Sequence, residues 1–182
     1  GVTAIKRSAR GVVVLILKCE TTDVSNKYRI SDISEIPNKV FDEATTDLIK
    51  KCLDGTPLRV LVYTLPKESV VGAQNTQATL LKQLKHIRYN YIAAPTGTEQ
   101  DQQDLSSYVK AERNNARKTV KAVVANVAAD HKGIINFCAD EIKVRKGKDS
   151  SGIPTYKTYS TIEYTARIAG IFAGLPLDRS GT

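Results

Sequence analysis

The sequence predicts an α/β fold: a mainly parallel sheet with flanking helices and a small antiparallel β appendage near residues 134–159. Three observations point there. Short, strongly apolar runs alternate with stretches of helical spacing, the rhythm of strand, helix and strand. Three or four such steps follow one another, and their right-handed crossovers make the strands mostly parallel with helices on the faces. From Ile134 onward the pattern changes to closely spaced alternating segments around a turn at residues 146–154.

Residues 11–17 form an almost unbroken apolar, β-branched run, as expected of a strand covered on both faces. Residues 28–30 can add a short strand. A helix over residues 38–53 places Val40, Phe41, Ala44, Leu48, Ile49 and Cys52 on its inner side and stops at Gly55 and Pro57. Residues 58–65 read as the next buried strand. After the turn-forming stretch 66–75, Ala78, Leu80, Leu81, Leu84 and Ile87 have helical spacing, with Thr76 as N-cap. Residues 89–94 predict a strand ending at Pro95. Thr98 and Asp101 frame the next helix start, Leu105, Tyr108 and Val109 give that helix an apolar stripe, and residues 119–127 begin another strand. Short strands follow at 134–137, 141–145 and 155–159. Ser160 and Glu163 have capping-box spacing and open a last helix. In it Ala166, Ala169, Gly170, Ala173 and Gly174 recur every three or four residues, so one side is nearly flat and a neighbouring backbone can approach closely. A Gly-Leu-Pro turn at 174–176 stops it. There is no internal repeat and no low-complexity linker.

A length of 182 residues with 41% hydrophobic composition suits one hydrophobic core, so a single domain is expected. No apolar run approaches the roughly 18–20 residues that span a bilayer. Cys19, Cys52 and Cys138 are odd in number and far apart, which argues against a disulfide framework or zinc knuckle and for small, at least half-buried apolar side chains. The formal charge is +8, but the positives are dispersed. Modest groups lie at 6–10 and 82–88, and a dense one at 143–148 that reads as a solvated hairpin tip. A nucleic-acid groove needs clustering that the sequence mostly lacks. An arginine-anchored contact to another subunit's acidic face would use the same charge.

Catalytic chemistry finds little support. Ala94, Pro95, Thr96, Gly97 and Thr98 sit at a strand end before a helix, but a phosphate loop needs G-x-x-x-x-G-K-[ST], and here Glu99 follows instead. His86 reads as a favourable cation near a helix end and His131 as a turn residue. Asp101 with Asp104, and Asp140 with Glu141, have nothing nearby to push their pKa values apart. No dinucleotide fingerprint follows a strand. No catalytic residue, no metal ligands and no cofactor are assigned. Tyr63, Tyr89, Tyr91, Tyr156, Tyr159 and Tyr164 occupy strand-rich positions suited to packing at the core edge rather than base stacking. Arg167, within an otherwise small and apolar helix, requires a carboxylate or carbonyl partner, in this chain or in a segment beyond it.

The string A-R-x-A-G-x-x-A-G-x-P-L-x-x-S from Ala166 through Arg167, Gly170, Gly174, Pro176 and Leu177 to Ser180 resembles a motif of contractile tail sheath proteins. Those proteins occur in bacteriophages, phage-derived bacteriocins and related injection machines. Arg7, Ser8, Ala9, Arg10 and Gly11 resemble the lead-in to their first strand, and Lys121 to Val123 with Gly133 to Phe137 resemble two further segments, in the right order. The resemblance implies a non-enzymatic structural subunit that forms hexameric rings stacked helically around a tail tube protein and contracts to drive the tube through the target cell envelope. It implies a place in the virion tail or phage-tail-like particle, assembled in the bacterial cytoplasm, with neither nucleic acid nor membrane as partner. Residues 1–182 would then be one α/β domain of a larger subunit, without its N-terminal arm and C-terminal domain, and monomeric alone. Arg7, Arg10, Arg167 and Arg179 are the candidates for holding this unit against the missing domain or a neighbour. The alternative is a small α/β nucleotide- or anion-binding domain or enzyme.

Overall fold

The computed structural model describes residues 9–68 and 70–176. Its main sheet contains β1 (Val12–Glu20), β2 (Lys27–Ile30), β3 (Arg59–Pro66), β4 (Tyr91–Ala93), β5 (Lys121–Ala125) and β6 (Ile134–Phe137), in the order β2-β3-β1-β4-β5-β6. All neighbours are parallel except the β2–β3 edge pair. Four helices flank it: α1 (Glu43–Leu53), α2 (Gln77–Gln83), α3 (Glu99–Asn115) and α4 (Thr161–Gly174). A separate two-stranded antiparallel ribbon pairs β7 (Ile142–Lys148) with β8 (Pro154–Tyr159).

Alternation along β1 explains the layering. Val13, Leu15 and Leu17 face α1 and α4 with Val60, Val62, Ala93 and Val123, while Val14 and Ile16 face α2 and α3 with Leu61, Leu80, Leu84, Leu105 and Val109. Residues 13–17 are therefore wholly buried, which is why this segment has no polar side to read in the sequence.

Helix starts follow their caps. Thr76, Thr98 and Ser160 each form a reciprocal capping box, with Thr79, Asp101 and Glu163. α1 begins later than its apolar spacing predicts, because Asp42 caps the Thr45 amide at 2.8 Å and Lys39 in the preceding turn takes a left-handed φ of 61°. α2 lasts seven residues and tightens into a 3-10 turn at Leu84–His86.

Residues 134–137, read in the sequence as the start of the antiparallel appendage, instead join the main sheet parallel to β5. The short link that makes this possible is held by one backbone and one side-chain hydrogen bond rather than by a helix. Asn126 adopts φ 53°, its amide donates to Phe137 O at 3.1 Å, and the Val127 amide donates to Asn136 Oδ1 at 2.9 Å. The antiparallel appendage is β7–β8, with a register shift between Arg145 and Gly147. Its tip is not the basic stretch, which lies on β7 itself, but the turn at 149–153. There Asp149 Oδ1 accepts the Ser151 and Ile153 amides, both at 2.9 Å, and Gly152 takes φ 79°.

The flat side of α4 meets α1 and the turn after it. A Cβ placed on Gly170 would lie 2.0 Å from Cys52 O, and one on Gly174 only 1.8 Å from Gly55 O. On the other side of the contact, a Cβ on Gly55 would reach the Gly170 carbonyl carbon at 2.1 Å. These are backbone-to-backbone approaches that only glycine permits. The junction continues into the sheet: the Gly11 amide donates to Ala173 O at 2.7 Å, and the Leu58 amide to Gly11 O at 2.9 Å.

Gly170→Ala must push the two helices apart, at a cost that exceeds the gain in helix propensity, and is expected to lose at least about 2 kcal/mol. Gly147→Ala, whose added carbon meets only Thr155 Oγ1 at 3.9 Å, is expected to cost little. Urea unfolding of the two variants checks this, and equal midpoints would contradict the close-packing account.

Candidate functional site

Open α/β sheets bind ligands beyond the carboxyl ends of their strands, where the strand order reverses. Here that point lies between β1 and β4, and the chain's own side chains occupy it. Lys18 Nζ pairs with Asp101 Oδ2 at 2.5 Å, the Lys18 amide donates to Thr96 Oγ1 at 2.7 Å, and the Thr98 amide donates to Asp101 Oδ2 at 2.8 Å. A Cβ on Gly97 would meet Asp101 Cβ at 2.9 Å. Gln102, fully buried, donates to Ala94 O at 2.9 Å and accepts the Ala125 amide at 3.3 Å, bridging β4 and β5. The α3 N-terminus, which could cradle an anion, is thus satisfied by an internal carboxylate and an internal ammonium.

A groove of about 390 Å³ separates the ribbon from α1, lined in part by Lys50, Lys51, Arg145, Lys146 and Lys157. Its centre is an anchor. Asp47 Oδ2 accepts Lys157 Nζ at 2.8 Å and the Tyr159 hydroxyl at 2.6 Å, and the Lys157 and Lys51 ammonium groups lie 5.0 and 5.8 Å from the Tyr159 ring centre. Burial alone would raise the Asp47 pKa, but the hydrogen bonds from Lys157 and Tyr159 with their neighbouring positive charge outweigh it and hold the carboxyl below 3.8. Burial, with the Asp47 carboxylate beside it, pushes the Tyr159 hydroxyl well above 10. Of this basic charge, Lys157 and Lys51 help fasten the ribbon to α1.

A third surface lies at the amino-terminal edge of the strands: a cleft of about 550 Å³ lined by Val12, Lys85, His86, Arg88, Arg117 and Lys118 among others. Beneath it Glu112 is buried and paired with Lys118 at 3.0 Å and, more distantly, with Lys85 at 3.9 Å. Lys118 Nζ also donates to the Lys85 carbonyl. Arg88 and Arg117 are exposed, and among the described residues neither has an ion-pair partner. Arg117 also holds a left-handed backbone, φ 54°. Sequence reading noted residues 82–88 as a modest basic group but missed the cleft, because Arg117 and Lys118 join that group only in space.

Of the four arginines singled out in the sequence, Arg7 and Arg179 lie outside the described residues. Arg10 donates to Thr56 O at 3.3 Å and lines a small hollow with Asp32, Leu58 and Arg59. Arg167 is half-buried, and its buried Nη1 has no hydrogen-bond partner among the described residues. Its charge lies close enough to oppose, weakly, the burial that drives the Cys52 thiol far above 9.0. Cys19 is pushed up to about 11, chiefly by burial. Cys138 is exposed, unlike the other two and unlike the expectation from composition. His131 is a turn residue whose Nδ1 accepts the Gly133 amide at 3.0 Å, and His86 ends the 3-10 turn, exposed. Tyr63, Tyr89, Tyr91 and Tyr159 are buried as core-edge residues, whereas Tyr156 is exposed on the ribbon.

No protein-family model matches the chain. A tail sheath protein of Clostridium phage phiCD119 is 28% identical to it over 98% of the chain and 46% of that protein. The chain is similar to tail sheath proteins. The sheath tail protein of Listeria innocua superposes with a TM-score of 0.61 over 96% of this chain and 61% of its own, at 14% identity. That of Desulfitobacterium hafniense gives 0.58 over 91% and 59%, also at 14% identity. The chain spans about half the length of the curated tail sheath protein it matches. The likeness covers nearly all of this chain.

Replacing Asp47 by Ala orphans the buried Tyr159 hydroxyl and frees Lys157, and is expected to cost about 1–2 kcal/mol near pH 7, the exposed lysine adding little. Because the folded-state pKa is depressed, this stabilisation is present above about pH 4 and is lost as pH falls through the lower folded value. Urea unfolding at a series of pH values should therefore show wild type and Asp47→Ala converging in acid. A constant gap down to pH 2 would contradict the assignment.

Proposed function

We propose that this chain is the α/β part of a structural subunit of a contractile tail sheath, the sleeve that drives a tail tube through a target cell envelope. The observation that carries this reading is the sequence similarity to a tail sheath protein along 98% of the chain. The matching fold of two sheath tail proteins supports it. The subunit has no need of a catalytic residue: contraction is a shift between two packings of the same subunits, driven by better contacts in the second. An enzyme or nucleotide-binding reading is disfavoured by the Lys18–Asp101 pair, which fills the place where such folds hold a ligand.

In this reading residues 1–182 are one domain of a longer subunit that assembles into hexameric rings stacked helically around a tube protein. The assembly forms in the bacterial cytoplasm and ends up in a virion tail or a phage-tail-like particle. Arg7, Arg10, Arg167 and Arg179 are the side chains proposed to hold this unit against the remainder of the subunit or against a neighbour. The unpartnered Arg167 Nη1 is the feature that most needs such a contact.

Negative-stain electron microscopy of the full-length protein, concentrated alone, is expected to show tubes or stacked rings, whereas residues 1–182 alone remain dispersed. A full-length protein that stays dispersed under conditions where it is folded would count against the sheath reading. Reversing Arg167 to Glu in the full-length protein is expected to impair those assemblies. Normal tubes from that variant would remove Arg167 from the contact set.

A further inference from the structure

We propose that the basic cleft at the amino-terminal edge of the sheet receives the acidic first turns of α3, residues 99–104, of a second copy of this chain in a head-to-tail contact. This deepens the sheath reading and rests on it for the copies to be brought together.

The cleft gathers Lys85, Arg88, Arg117 and Lys118 around one acid, Glu112, which is already engaged with Lys118 and Lys85. Arg88 and Arg117 have no ion pair among the described residues. Like charges so grouped repel. The left-handed φ of Arg117 is the helix stop just past the Ala116 cap of α3, where the Lys118 amide donates to Glu112 O at 3.3 Å.

The complement lies at the other end of the same helix. Glu99 and Asp104 are exposed. Asp104 accepts only from Gln100 at 2.9 Å, and no hydrogen bond or ion pair is recorded for Glu99. A favourable helix dipole accounts for Glu99 in the first turn of α3. It does not account for Asp104 beyond that turn, nor for Lys85 and Arg88, which are not on α3 at all. α3 has 17 residues, so the two patches are about 25 Å apart. One copy therefore cannot neutralise itself. A second copy, displaced along the helix direction, can. Such a contact uses two different surfaces, and repeated it closes into a ring or runs on as a helix. Glu99 and Asp104 each offer an exposed carboxylate that Arg117 or Arg88 can engage in bidentate fashion.

The test is a charge swap in the full-length protein, with circular dichroism confirming that each variant is folded. Arg88→Glu with Arg117→Glu is expected to abolish tubes in negative-stain images, as is Glu99→Lys with Asp104→Lys, and the four substitutions together are expected to restore them. Tubes from either double variant overturn the contact while leaving the sheath reading intact. Loss without restoration also overturns it, because another acidic surface or a nucleic acid then occupies the cleft. If the wild-type protein forms no tubes, the sheath reading fails, and the contact is judged by cross-linking. For this, Arg117→Cys and Asp104→Cys proteins, each also carrying Cys19→Ala and Cys138→Ala, are mixed and treated with a short bismaleimide. A heterodimer that neither protein gives alone supports the contact, and its absence overturns it.

Discussion

The structure depends on a backbone contact between α4 and the end of α1. Gly55, Gly170 and Gly174 leave no room for a side chain, so the two segments meet at main-chain distance. That approach lets Ala173 O reach the Gly11 amide and Gly11 O reach the Leu58 amide. The last described helix is thereby joined to the starts of two neighbouring strands, β1 and β3. It also fixes the ribbon, since β8 runs into α4 through the Ser160 cap while Tyr159 reaches across to Asp47 on α1. Through the glycine contact α4 joins α1 in covering Val13, Leu15 and Ala93.

Two consequences for function follow from a body tied together in this way. The crevice that most α/β folds leave open for ligands is closed by Lys18, Asp101 and Gln102, whose hydrogen bonds are all made within the chain. The unspent polar capacity lies instead at the periphery: Arg88 and Arg117 at one end of α3, Glu99 and Asp104 at the other, and the orphaned Arg167 Nη1 near the α1–α4 contact. Some interior polar atoms also lack a hydrogen-bond partner among the described residues, Ser106 Oγ and Gln77 Oε1 among them.

Most of the fold is legible in the sequence because it is written in local signals. The helix starts at Thr76, Thr98 and Ser160, the doubly covered β1 and the flat side of α4 are each set by residues within a few positions of one another, and each is found where its spacing places it. What escapes is non-local or depends on competition between signals. β6 has the length and alternation of an appendage strand, but it pairs parallel to β5, with the Asn126 amide bonded to Phe137 O and the Val127 amide to Asn136 Oδ1 across the loop. The α1 start follows Asp42 rather than the apolar spacing of Val40 and Phe41. The basic cleft is invisible for the same reason as β6: residues 85–88 and 117–118 meet only after β4 and α3 have been placed between them.

Native-state hydrogen exchange on residues 1–182 addresses the central claim most directly, because it asks whether α4 and the sheet are one cooperative unit. The account predicts that amides of α1, α4, β1 and β3 share the highest protection and become exposed together as urea is added. An α4 that exchanges by a separate, low-energy opening while β1 and β3 stay protected would contradict it.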